Sequence, residues 1–425
     1  MRGFGSSCWS RREFLAVAGA GAFPGAWSGE SSGARFPSAW SWEQLSPHRD
    51  EPAGTAPLPR DPWNALLGYD GALYLFGGVF PKYGPPRGPG DLTTMGSLND
   101  LWRFDAGEAT WACLQRDDGQ AEFDARADRP CGRVLPCWVE VQGKFYLFGG
   151  LTAYGEGWQT RLLNDFWCYD PSEDVWTLLE PDDDRSLQSP DDVSGDRPTA
   201  LAAMGTAVID DTIYLFAGWG GQQPKVVLSE QLWSYNVTNG SWTFHGGSNR
   251  IDPSPAKRYC PAMTNFDGRL HLWAGRDTQD LNPQWYNDLW SYDPIDGRWV
   301  QLAGNGPGSV DASRSRPAAR YAMGEARLGE AWYIMGGFGA DSGNSPQLND
   351  LWKLDLESAR WELVQACDFS KDVSESAGRP CVRRVPAMTS MDDAVYLFGG
   401  LDLTSGPDES GPIIAFNDLW RGLAS

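Results

Sequence analysis

The chain has 425 residues, 41% of them hydrophobic and 21% charged, with 50 glycines and 30 prolines. A formal charge of −21 and a pI near 4.5 argue against nucleic acid or an anionic membrane surface as partners, because both would repel it. Length alone suggests two or three domains, but an internal repeat overrides that prior.

The N-terminus reads Ser10-Arg11-Arg12-Glu13-Phe14-Leu15, followed by a small-residue apolar run from Ala16 to Ala26. This resembles a twin-arginine export signal. The apolar run is too short to span a bilayer. Small residues place the cleavage between Ala26 and Ala34, and no Leu-x-x-Cys lipobox follows. The resemblance implies a signal peptide over residues 1–34 and a mature domain over 35–425. Such a protein folds before export and works in the periplasm, the cell envelope or the extracellular space of a bacterium or archaeon.

Next comes Trp40-Ser41-Trp42-Glu43-Gln44-Leu45, a strand-like segment standing alone before the repeat. The repeat itself has two halves. The first ends in an apolar run and a small-residue doublet, as in Tyr74-Leu75-Phe76-Gly77-Gly78 and Tyr146-Leu147-Phe148-Gly149-Gly150. Further copies are Tyr214 to Gly218, His271 to Gly275, Tyr333 to Gly337 and Tyr396 to Gly400. Continuous apolar runs suit strands buried on both faces. The glycines are expected to make room for the repeat tryptophans.

The second half carries Asn-Asp-Leu-Trp or a variant, at 99–102, 164–167, 287–290, 349–352 and 417–420, with Glu230-Gln231-Leu232-Trp233 as the degenerate copy. A second tryptophan follows nine residues after the first, as in Trp102/Trp111, Trp167/Trp176, Trp233/Trp242, Trp290/Trp299 and Trp352/Trp361. Asp or Asn stands six residues before it (Asp105, Asp170, Asn236, Asp293, Asp355), where a short polar side chain can close a turn. Each second half therefore reads as a strand-turn-strand hairpin.

A doublet followed by two tryptophan-bearing strands resembles the kelch motif, over nearly the whole chain after about residue 35. The resemblance implies an all-β, six-bladed kelch β-propeller with four antiparallel strands per blade. The sixth unit stops just after Leu419-Trp420, short of a fourth strand. Trp42 and Leu45 match the spacing of Trp111/Leu114, so the N-terminal segment is expected to supply that strand and close the last blade.

Candidate functional residues are few. His48, His245 and His271 fall at unrelated repeat positions, and no zinc, P-loop or serine-hydrolase motif occurs. The copper ligands of the galactose oxidase kelch propellers and the iron motif of the plant kelch specifier proteins cannot be placed here. No metal or cofactor is expected. The acidic run from Asp182 to Asp196 reads as a solvated connector or a calcium loop. Cys113/Cys131 and Cys367/Cys381 are matched pairs in equivalent connectors, candidates for disulfides in an oxidising compartment or else free thiols.

Arg133, Arg258, Arg320 and Arg383 stand sixteen residues before the doublet, with Arg60 one residue out of register and Arg197 the nearest candidate in blade three. Their convergence would either bind an anion, such as a carboxylate, or staple adjacent blades through aspartates. Trp158, Trp219, Trp285, Tyr286, Tyr83 and Tyr154 fall on the loops after the doublets, where aromatics stack on sugars, anchor proteins or pack on one another. The expected function is a monomeric, exported binding module for a protein or an acidic carbohydrate. The rival is an enzyme of the kelch mutarotase type acting on a sugar acid, or a structural envelope component.

Overall fold

The computed structural model describes residues 40–49, 54–81, 95–120, 122–154, 159–189, 195–221, 226–247, 253–278, 284–339, 347–371, 378–403 and 413–424. The export-signal reading and Trp158 and Tyr83 lie outside them. Among the described residues every regular element is a β-strand, and the strands form a six-bladed β-propeller.

Blade one is the sheet Leu66–Tyr69, Ala72–Pro81, Met95–Asp105 and Thr110–Gln115, paired in chain order. Blade two is Cys137–Val141, Lys144–Tyr154, Gln159–Asp170 and Val175–Glu180, and the next three blades repeat the pattern. In blade six the fourth strand is Trp40–Ser46, antiparallel to Ile413–Ala424 with Trp42 opposite Gly422. The ring thus closes through the N-terminal segment, as expected. The first strand of each blade packs against that of the next all the way round.

Each position of the Asn-Asp-Leu-Trp signature has a physical task. In blade two, Asn164 Nδ2 donates to Asp183 Oδ1 at 2.7 Å and to the Pro198 carbonyl at 3.3 Å, fastening the connector to blade three. Asp165 accepts from Trp167 Nε1 at 2.7 Å, and Leu163, just before the signature, is fully buried. The second tryptophan reaches across blades: Trp176 Nε1 donates to Gln115 at 2.8 Å and Trp242 Nε1 to Glu180 at 3.1 Å. Trp42 makes the same bond to Gln365 at 2.7 Å, so the borrowed strand is seated like the contiguous ones. The turn aspartates act as expected: Asp105 Oδ1 accepts from the Gly107 and Glu108 N–H groups at 3.0 Å.

The glycine doublet has a different cause from the one expected. A Cβ on Gly77 would come within 2.8 Å of the Arg133 carbonyl oxygen and 2.9 Å of that of Leu98. Backbone of the following blade and of the third strand of the same blade, not tryptophan, needs the space. Gly77 also has φ +66°, and Gly78 N–H donates to the Arg133 carbonyl at 2.9 Å.

Antiparallel pairing places the turns between strands one and two, and between three and four, on one face. The hairpins after the doublets and the connectors between blades share the opposite face.

Candidate functional site

Arg60, Arg133, Arg258, Arg320 and Arg383 are all fully buried. Each forms a bidentate pair with the signature aspartate of its own blade: Arg133 Nη1 and Nη2 meet Asp165 at 2.7 and 2.8 Å, and Arg320 meets Asp350 at 2.7 Å twice. Arg60 pairs with Asp100, Arg258 with Asp288 and Arg383 with Asp418. Nη1 also donates to the doublet carbonyl, as from Arg133 to Gly149 at 3.0 Å. Burial opposes the charge on Arg133 and Arg383, yet the facing aspartate holds each pKa above the usual arginine value. Tyr286 lies over Arg258 at 4.1 Å and Phe416 over Arg383 at 4.5 Å. The backbone of the same arginines bonds the preceding blade, as in Gly78 N to Arg133 O and Arg133 N to Leu98 O. Each arginine therefore ties two blades together, and an external anion would have to displace an aspartate. The single-residue offset of Arg60 is absorbed before the strand, because Arg60 Nη1 still reaches Gly77 O at 2.8 Å.

Blade three corrects the assignment of Arg197. The equivalent position is Leu201, whose carbonyl accepts from Gly150 N–H at 2.8 Å. Arg197 belongs to a second register four residues earlier. Its Nη1 donates to the Asn164 carbonyl at 2.6 Å and its Nη2 to Asp183 at 3.0 Å, within the connector.

The cysteine pairing is also corrected: the seven described cysteines are free thiols. Cys131 Sγ and Cys381 Sγ each accept from Nη2 of Arg133 and Arg383 at 3.3 Å, and Cys367 donates to Asn349 Oδ1 at 3.2 Å. These sulfurs complete the arginine and asparagine networks instead of bridging to each other.

The innermost ring is where the structure adds most. A bridge joins the residue after each buried arginine position to the residue after each doublet. The pairs are Asp61/Val79, Val134/Leu151, Ala202/Trp219, Tyr259/Arg276, Tyr321/Phe338 and Arg384/Leu401. Most of these twelve positions are apolar or aromatic and belong to one buried cluster around the axis. Just below it, Leu135, Ala203, Cys260, Ala322 and Val385 all take left-handed backbone conformations. Their amides link blade to blade, with Ala203 N to Leu135 O at 3.0 Å and Val385 N to Ala322 O at 2.7 Å. Trp63 crosses from blade one, and its Nε1 donates to the Met323 carbonyl of blade five at 3.0 Å.

Three charged residues interrupt this apolar collar: Asp61, Arg276 and Arg384. Burial pushes the Asp61 carboxyl up to about 6, against the pull of Arg384 and the Trp63 N–H. Arg276 is 6% exposed and lies 4.5 Å from the Trp285 ring and 5.3 Å from that of Tyr321. Its Nη1 reaches Tyr321 Oη at 3.5 Å, its Nε has no hydrogen-bond partner, and among the described residues no carboxylate pairs with it. Tyr259 and Tyr321 stand edge to face at 5.4 Å, and burial raises both phenol pKa values.

Of the sequence-selected aromatics, Trp285 joins this cluster, partly exposed and packed on Tyr321 and Phe338. Tyr286 covers Arg258 instead, and Trp219 is buried in the collar of blade three. Asp61, Arg276 and Arg384 were missed. The signal for them is register: each is a charge at a repeat position that is otherwise apolar or aromatic. The three histidines do not converge, and among the described residues no group of side chains could hold a metal ion. Asp182, Asp183 and Asp184 are engaged by Arg161, Asn164, Arg185 and Arg197.

Comparison with known proteins agrees with this architecture. The KLHDC2/KLHL20/DRC7 Kelch-repeats domain matches residues 120–307 and 187–400. The leucine-zipper-like transcriptional regulator 1 homolog of Drosophila melanogaster is 24% identical over 340 residues, covering 79% of this chain and 29% of that protein. Human kelch domain-containing protein 10 is 22% identical over 330 residues, covering 77% and 63%. Beta-scruin of Limulus polyphemus is 23% identical over 346 residues, covering 79% and 30%. The matched region is thus less than two thirds of each relative's own length.

Proposed function

The chain belongs to the kelch-repeats domain family, and from that premise we propose that it is a binding module whose hairpin-bearing face captures an acidic group of a protein partner. The observation that carries this reading is Arg276. A guanidinium this buried ordinarily has a carboxylate beside it, as all five stapling arginines do. Among the described residues Arg276 has only aromatic rings and the phenols of Tyr259 and Tyr321, with no partner at Nε. A carboxylate brought by a partner would complete the missing pair, with Trp285 as the aromatic that receives the adjoining apolar surface.

Calorimetry with acidic peptides and their amidated counterparts tests the reading. Arg276→Gln is expected to weaken capture at least tenfold and to leave the melting temperature nearly unchanged. Equal binding by the variant, or by the amidated peptides, would refute it.

A second reading draws on Asp61. A carboxyl titrating near neutrality beside a guanidinium can serve as acid and base, which is the modest help that mutarotation of a sugar acid requires. Exchange NMR between anomers of a sugar acid decides it: no acceleration over buffer removes the enzyme. We also propose export by the twin-arginine route, supported by Arg11-Arg12 and the apolar run after them. Replacing both arginines with lysine keeps the charge and is expected to leave the protein in the cytoplasm on fractionation. Normal export of that variant would overturn the signal.

A further inference from the structure

A cavity of about 140 Å³ opens between the hairpins of blades two and three, against the collar residues Leu151 and Trp219 and away from Arg276. Its origin is a mismatch of lengths. Blade two extends long strands past its doublet, Lys144–Tyr154 and Gln159–Asp170, whereas among the described residues blade three offers only Trp219–Gly220 paired with Val227–Leu228. Gly220 and Gly221 present backbone to the gap. A Cβ on Gly220 would lie 2.9 Å from that of Leu187, so no side chain can fill it from there.

The cavity has an apolar floor and a polar rim. Leu151, Leu162, Val226 and Trp219 supply the floor. Arg161, Asp184, Arg185 and Ser186 supply the rim. The charges there are already matched. Arg161 bonds Asp182 and Asp184, and Arg185 Nε meets Asp183 at 2.7 Å. Nothing in the rim asks for an ion. What stands unsatisfied is a hydroxyl: Ser186 Oγ is buried and, among the described residues, has no hydrogen-bond partner. A buried hydroxyl left unpaired is costly, and it can both donate and accept.

We propose that this cavity binds a single uncharged sugar ring. Pockets for drug-sized ligands run to about 300–1,000 Å³, so this volume suits one small ring and no more. The apolar floor would take the C–H face of the ring. Paired arginine and carboxylate groups, which donate and accept side by side, match the vicinal hydroxyls of a sugar, and Ser186 Oγ gains the partner it lacks. A sugar acid is disfavoured, because the rim has no uncompensated cation and the chain carries −21.

Saturation-transfer NMR on the full chain with glucose, galactose, mannose and N-acetylglucosamine, and with glucuronate as the charged control, tests this. At least one uncharged sugar is expected to show saturation on its ring C–H protons at millimolar concentration. Asp184→Asn is expected to weaken that ligand about tenfold, since the Asp184 side chain is 80% exposed and its loss spares the fold. Ser186→Ala removes the orphan hydroxyl. It should weaken the sugar several-fold while leaving the melting temperature unchanged or raised, a combination that a purely structural serine would not give. The proposal is overturned by silence from every uncharged sugar, by preference for glucuronate, or by unaltered binding in both variants.

Discussion

Blades two and three solve the same packing problem with different chemistry. In blade two, Arg133 and Asp165 are fully buried and joined by two hydrogen bonds of 2.7 and 2.8 Å. In blade three the same positions hold Leu201 and Gln231. The backbone does not notice: Leu201 N–H still donates to Leu163 O at 3.2 Å, and its carbonyl still accepts from Gly150. Gln231 Oε1 accepts from Trp233 Nε1 at 2.8 Å, as Asp165 Oδ2 does from Trp167 at 2.7 Å. The blade-to-blade tie thus resides in the main chain, and the ion pair is one of two ways to fill the space beside it. Both members differ together, and either charge alone would be buried there without a partner.

The sharpest way to break this comparison is to remove half a pair. Arg133→Leu leaves Asp165 charged and buried, and is expected to cost about 3–5 kcal/mol in chemical denaturation. Adding Asp165→Gln, which copies blade three, should recover most of that loss. If the double variant is as unstable as the single one, the two blades are not interchangeable and the pair has a role that blade three does without.

A buried carboxyl with no cation extends the contrast. Glu325 retains some accessible surface, but its carboxyl is enclosed between blades four and five. There Oε1 accepts from Met263 N–H at 3.1 Å and Oε2 from Trp332 Nε1 at 2.9 Å. Burial pushes its pKa up to about 8 despite both donors. The folded state therefore holds a proton that the unfolded chain releases near pH 4.5. Stability from this group is full below about pH 4.5 and is lost as pH climbs toward 8, with a slope of at most about 1.4 kcal/mol per pH unit. Urea denaturation of Glu325→Gln against the parent should show that slope disappear. Asp61 adds to the parental slope up to about pH 6, and His271, held down to about 4 by burial, opposes it between 4 and 6.5. Both cancel in the comparison.

Repetition explains what the sequence made legible. Six aligned copies give each position several witnesses, so the blade count, the strand order and the closure by Trp40–Ser46 were all readable. The same averaging hid the site. Asp61, Arg276 and Arg384 are departures from the repeat, whereas the arginines that recur stand out in every alignment of its copies. Recurrence marks what every blade needs, and here that is a buried pair with Asp100, Asp165, Asp288, Asp350 or Asp418. The thiols failed for another reason. Cys131 and Cys381 occupy matched positions because each rests against a matched arginine, so equivalence in the repeat spoke for a shared neighbour and not for a bond.

The smallest effect is expected from running the exchange in reverse. Leu201→Arg with Gln231→Asp would give blade three the pair of its neighbours. The attraction between the two charges roughly offsets the cost of taking both out of water, so exchanging a buried pair for apolar packing is often close to neutral. The surroundings here are also not those of blade two. Leu201 Cδ2 lies 3.1 Å from where a Cβ on Gly220 would be, so this side chain fills space beside the short hairpin that a guanidinium aimed at residue 231 would vacate. A small cavity term then falls on the ion pair. The double variant should stay within about 1 kcal/mol of the parent in chemical denaturation, on the unstable side. A gain of several kcal/mol would mean that the pair is a net stabiliser wherever it occurs. A comparable loss would mean that blade three has been shaped around Leu201 and cannot take the charges back.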